Sequence, residues 1–133
     1  MSTFRKPTKS IEDIFHEDGR YPLGAVQFVR EGLNHAVAMI HGAREGEGPR
    51  HVSGAQLCQG LRELACKRWG FLAKSVLNRW NLHTTRDFGE VIFLLVEHGW
   101  MQKQLQDCVE DFDDVYDFSE AFEGDFEITP DNS

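Results

Sequence analysis

The sequence contains no apolar run approaching the roughly 18 residues that a bilayer-spanning helix needs, so no membrane segment is expected. Met1 to Lys9 carries no apolar stretch of the kind that defines a signal peptide, and a cytoplasmic protein is expected. Cysteine is scarce, with three residues in the chain. Cys58 and Cys66 lie on one predicted helix, about 12 Å apart by its rise and too far for a disulfide, and Cys108 leaves an odd count. A disulfide framework is therefore excluded, and reduced, mostly buried thiols are the reading. The six histidines show no HExxH spacing and no zinc-like pairing with cysteine. Asp111, Asp113, Asp114 and Asp117 match a calcium loop in composition only, since the glycine and terminal glutamate are missing at the required offsets. No metal and no cofactor are expected. His51, Ser53 and Cys58 lie close in sequence, but Ser53 is better used as a helix cap and Cys58 falls on an apolar stripe, so no catalytic residue is assigned. There is no internal repeat.

What the chain does have is punctuation. At 133 residues and 41% hydrophobic, with ten Phe, three Trp and two Tyr, it fits one globular domain with a sizeable core. Ser53 and Gln56 form a capping box, with Val52 and Leu57 placed as a hydrophobic staple. The helix that starts there carries Leu57, Leu61, Leu64 and Ala65 on one stripe and ends at Gly70. A shorter helix is predicted over Phe71–Trp80, with Leu72, Ala73, Val76, Leu77 and Trp80 inward and Asn81 as its left-handed stop. Replacing Asn81 by glycine is expected on this basis to stabilise the fold by up to about 1 kcal/mol. Thr84 or Thr85 caps a third helix, with Asp87 at the positive end of its dipole. Its core face is Phe88, Val91, Ile92, Leu95 and Val96; Phe93 and Leu94 make it apolar nearly all round, as a surrounded helix is. Gly99 ends it.

Before this block, Ile11–Phe15 suggests a short helix. Leu23–His41, opened by Pro22, suggests a longer one with Val26, Val29, Leu33, Ala36, Val37 and Ile40 inward. The expected organisation is a flexible N-terminus over 1–9, a single helical domain over 10–123 containing a flexible linker at 42–50, and a frayed acidic tail over 124–133. The fold class is mainly α. A candidate strand at Trp100–Gln104 after the third central helix would make it winged helix-turn-helix-like, which is an analogy of fold and not of function.

The strings His51-Val52-Ser53-Gly54, Leu57-Cys58, Gly70, Val76-Leu77 with Trp80, Asp87-Phe88-Gly89-Glu90, Leu95-Val96-Glu97, Asp111-Phe112 and Tyr116-Asp117-Phe118 carry a resemblance across nearly the whole chain. It resembles an uncharacterised bacterial protein family restricted to the planctomycete and verrucomicrobial lineages. The resemblance implies a bacterial source and no chemistry. The chain departs from the family where a glycine is expected after the tryptophan of the second central helix and Asn81 stands instead.

Charge is segregated beneath the net value of -8. Residues 1–49 carry six basic and seven acidic side chains, 50–86 seven and one, and 87–133 one and fourteen. Arg62, Lys67, Arg68, Lys74, Arg79 and Arg86 are candidate anion or nucleic-acid contacts. The overall charge opposes polyanion binding. So does the start of the third helix, where Asp87 and Glu90 accompany Arg86 at the place a helix-turn-helix protein presents to bases. From Asp107 to Glu127 ten acidic residues and no Lys or Arg alternate with aromatics. There Phe112, Tyr116 and Phe118 are candidate anchors, on a partner or on the chain's own core. The leading expectation is a non-enzymatic protein-interaction module with a protein partner. The alternative is a winged-helix-like nucleic-acid binder or transcription accessory protein. The acidic segment after Gln106 is expected to lie partly against the basic helices.

Overall fold

The computed structural model describes residues 9–42, 52–101 and 109–124. Among them are five helices and no strand: α1 (Ile11–Asp18), α2 (Leu23–His41), α3 (Gly54–Trp69), α4 (Ala73–Arg79) and α5 (Thr85–Glu97). Short 3₁₀ turns occupy Gly70–Leu72 and Val109–Phe112, and a π-helical turn occupies Glu120–Gly124. No helix among the described residues is long and apolar enough to cross a membrane.

Local chemistry sets the helix ends. Ser10 caps α1 by accepting from the Asp13 N–H at 3.0 Å, and Gly19, at φ 79°, closes it. The capping box of α3 is present in both directions, Gln56 N–H to Ser53 Oγ at 3.0 Å and Ser53 N–H to Gln56 Oε1 at 2.9 Å. Asn81 is left-handed, at φ 65°. It forms a Schellman closure in which its own N–H bonds the Asn78 carbonyl and the Leu82 N–H reaches back to Leu77 at 2.9 Å. Gly99 ends α5 in the same way, with Gly99 N–H on Val96 and Trp100 N–H on Leu95 at 2.8 Å.

That second closure corrects the expected strand. The Trp100 N–H is taken by the end of α5, its indole Nε1 donates to the Lys9 carbonyl at 2.8 Å, and Trp100 and Met101 form a bend and not a strand. Gln102–Gln104 lie outside the described residues, as do 1–8, most of the 42–50 linker and 125–133 of the tail.

The second correction concerns the corner between α3 and α4. A continuous helix from Phe71 was expected; Gly70, at φ 54°, instead redirects the chain into a 3₁₀ turn, and α4 begins only at Ala73. A 3₁₀ turn advances three residues per turn, so the helical phase slips. Ala73 and Leu77 keep their inward positions, whereas Leu72 is turned outward.

α2 and α3 form the most extensively packed helix pair. They approach closely at Gly60, where an added Cβ would stand 2.7 Å from the Ala36 Cβ. Val26, Phe28, Val29, Leu33, Leu57, Leu61 and Leu64 are buried there, while Ile40, expected inward, lies near the end of α2 and is exposed. α5 buries Phe88, Val91, Ile92 and Leu95. Its remaining side is covered by residues 109–122, which return across α3 and α5 and add Phe112, Phe118, Ala121 and Phe122 to the same core.

Candidate interaction surface

The three aromatic anchor candidates are internal. Phe112 is fully buried beside α5, edge-on to Phe93 at 6.3 Å. Phe118 stacks on Phe88 at 5.6 Å and meets Phe122 edge-on at 5.1 Å. Tyr116 completes the cluster and donates its hydroxyl to the Cys58 carbonyl at 2.7 Å; burial holds that hydroxyl well above the ordinary tyrosine range. A buried Thr85 hydroxyl clips the segment to α5, donating to the Phe112 carbonyl and accepting from the Val115 N–H at 3.1 Å. The acidic segment is thus a strap on its own domain, seated by rings and one hydroxyl. These rings are occupied by the chain itself and are not a free docking face.

The six basic candidates do not form one patch. Successive helical residues are about 100° apart, so Arg62 and Lys67 on α3 point about 140° away from one another. Arg62 Nε donates to the Ala121 carbonyl of the strap at 3.2 Å. Arg68 pairs with Glu31 of α2 at 2.6 Å. Arg86 is held by Glu90 at 3.1 Å and by both oxygens of Asp113, at 3.1 and 3.2 Å. Lys74 is half-buried on α4, and Lys67 and Arg79 are exposed, with no ion pair to either of these last two among the described residues.

A polar network joins the α1–α2 loop to the start of α5. The Tyr21 hydroxyl donates to Asp87 Oδ1 at 2.6 Å, while Asp87 Oδ2 accepts from the N–H groups of His83 and Thr84 at 2.8 and 3.1 Å. Burial first, and the bond to Asp87 second, raise the Tyr21 hydroxyl far above its ordinary value, so it stays protonated at neutral pH. Arg20 lies over the Tyr21 ring and is bound by Asp18. Each group here is committed to a structural partner. The Cys58 thiol is fully buried and pushed up to about 12 by that burial, which makes it a poor nucleophile. Cys66 is half-buried, and neither is in a disulfide; Cys108 and His51 lie outside the described residues. Among the described residues no group of three or more His, Cys, Asp or Glu is placed to hold a metal ion. Two grooves, of about 700 and 570 Å³, flank Leu23; the main donors of the larger, Arg20 and Tyr21, are the ones already taken by Asp18 and Asp87.

The feature that sequence reasoning missed is the α3–α4 corner. Phe71 and Leu72 are 60% and 52% exposed, the two most exposed large apolar side chains among the described residues. The two ends of the corner are braced by a ring cluster on α2, with Trp69 to Phe28 at 5.3 Å, Trp69 to Trp80 at 5.6 Å and Phe28 to Trp80 at 6.0 Å. The available signal was Gly70, whose positive φ breaks the helical phase that had put Leu72 inside. No family model, no curated protein and no solved structure matches the chain.

Proposed function

We propose that this chain is a non-enzymatic protein-interaction domain that docks its partner at the α3–α4 corner. The observation that carries the reading is the adjacent, outward-facing pair Phe71 and Leu72 on a braced turn. Covering a large apolar side chain contributes about 1.5–3 kcal/mol, and a rigid support lowers the ordering cost of doing so. α5 and the aromatic strap cover one another, and the other exposed large apolar side chains among the described residues, Leu23, Met39 and Ile40, are less exposed than Phe71 and Leu72. Unpaired Cys58 and Cys66 support a cytoplasmic setting as part of the same proposal.

The winged-helix alternative has less support, since the first turn of α5 is crossed by the strap and Arg86 is taken by Glu90 and Asp113. Affinity capture from native lysate, with and without nuclease, tests the reading. Nuclease-resistant partners retained by the wild type and lost by Phe71→Ser/Leu72→Ser are expected. Partners that vanish with nuclease, or that ignore the double substitution, would overturn it.

A further inference from the structure

We propose that the segment received at this corner is acidic and carries paired apolar side chains; the proposal rests on the protein-interaction reading above and adds the chemistry of the partner. Between Glu63 and Asp87 the chain holds Lys67, Arg68, Lys74, Arg79 and Arg86 and not one carboxylate. Arg68 and Arg86 are bound to acids of other helices and of the strap. Lys67 and Arg79 are exposed without an ion pair among the described residues, in a chain with an excess of eight acids.

Their placement brackets the apolar pair. Lys67 stands exposed in the last turn of α3, just before the Gly70 corner, and Leu72, Ser75 and Arg79 are all exposed at the spacing of one helical face. An occupant that buries two apolar side chains on Phe71 and Leu72 therefore has cationic ends beside it, and acids at its flanks gain from them. The exposed carboxylates Asp114 and Asp117 of the strap repel the same occupant away from the corner, and Glu120, on the turn that borders the corner, confines its acids to the Lys67 and Arg79 ends. Charge thus sets orientation and the apolar pair supplies the contact area. A nucleic acid fits less well, because two cations without an ion pair among the described residues release few counterions and only Phe71 of the pair offers a ring for a base to stack on.

The test uses the full chain and a fluorescein-labelled peptide of Asp and Glu carrying one Phe and one Leu, read by anisotropy and by amide shifts. Binding is expected with shifts centred on Phe71, Leu72, Ser75 and Arg79. Phe71→Ser/Leu72→Ser is expected to weaken it about tenfold or more, at the scale of anchor residues. Lys67→Glu/Arg79→Glu is expected to weaken it severalfold and to flatten its salt dependence. Equal binding of a peptide with Lys in place of the acids, or with Ser in place of the Phe and Leu, overturns the proposal, and so does displacement by oligothymidylate. If Phe126→Ser/Ile128→Ser in the chain moves the Phe71 and Leu72 amides with no peptide present, the chain's own end fills the corner and the proposal also falls. Loss of captured proteins by Phe71→Ser/Leu72→Ser with no acidic peptide bound would sink this proposal and leave the protein-interaction reading standing.

Discussion

At Gly89 the ring of Phe112 packs directly on α5. A methyl group placed there would stand 2.7 Å from Cδ1 and Cγ of Phe112 and 3.0 Å from its Cβ. Phe112 has little room to yield, since it is fully buried and its carbonyl is held by Thr85. On a free helix surface Gly→Ala stabilises by about 0.8–1 kcal/mol, whereas forcing a methyl into a packed core costs about 1–3 kcal/mol. Gly89→Ala should therefore destabilise the domain by about 0–2 kcal/mol. Phe112→Ala alone should cost about 3–5 kcal/mol through the cavity it leaves. In that background the two 2.7 Å ring contacts are gone and only the 3.0 Å contact with the Cβ of residue 112 remains, so Gly89→Ala should become stabilising by up to about 1 kcal/mol. The signature is a coupling of about 1–3 kcal/mol in a double-mutant cycle, read from urea unfolding with unchanged slopes. Additive changes, with Gly89→Ala stabilising in both backgrounds, would show that Phe112 does not sit on α5.

Thr85→Val keeps the shape but leaves the Phe112 carbonyl and the Val115 N–H without their buried partner, and should cost about 2–3 kcal/mol in thermal or urea unfolding; a neutral result would mean that water or another group satisfies both. Asn81 makes side-chain bonds to the Arg20 carbonyl at 2.9 Å and to His83 at 3.1 Å, so Asn81→Gly should be near neutral, the strain relieved offsetting the bonds lost. Asn81→Ala, which loses the bonds and keeps the strain, should cost about 1–2 kcal/mol, and equal melting temperatures for the two variants would refute the assignment. Stability should fall at alkaline pH. Burial raises the Cys58 thiol from 9.0 to about 12 and lifts Tyr116 as well, so the unfolded chain gives up these protons first; the contribution is intact below pH 9 and is lost as pH climbs toward 12. A urea midpoint that stays flat across that range would contradict the burial of both groups.

The helix ends were legible because each is decided within a few residues. Ser53 with Gln56, Asn81 after Trp80, Thr84 with Asp87, and Gly99 all act through hydrogen bonds to the nearest turn, and the structure places an end at each. The Asn81 side chain was not legible, because its partner is the Arg20 carbonyl on a distant loop. Nor was the role of Thr85, which reads as a possible cap beside Thr84 yet is buried as the clip for the strap. The inward face of α4 failed at one residue, Leu72, because a positive φ at Gly70 changes the helical phase and periodicity counts straight through it. The basic set looked like a patch because it is dense along the chain. Density in sequence does not survive projection onto a helix, as the opposed directions of Arg62 and Lys67 show.

The segregation of charge along the chain has a narrower physical outcome than mutual attraction of a basic block and an acidic block. Among the described residues Arg86 reaches a strap carboxylate and Arg62 a strap carbonyl. Exposed pairs of this kind contribute little and are screened by salt. Phe112, Phe118 and Phe122, buried in the common core, provide the area that holds the strap, and Thr85 fixes its register. The strap therefore does not need Lys67 and Arg79, and both stand exposed on the α3–α4 side of the molecule. Cations left over in an acidic chain, beside two apolar side chains that folding does not cover, are a local excess of both kinds of binding surface. A partner that supplies acids and apolar groups together relieves both at once, whereas an all-acid or an all-apolar partner relieves only one.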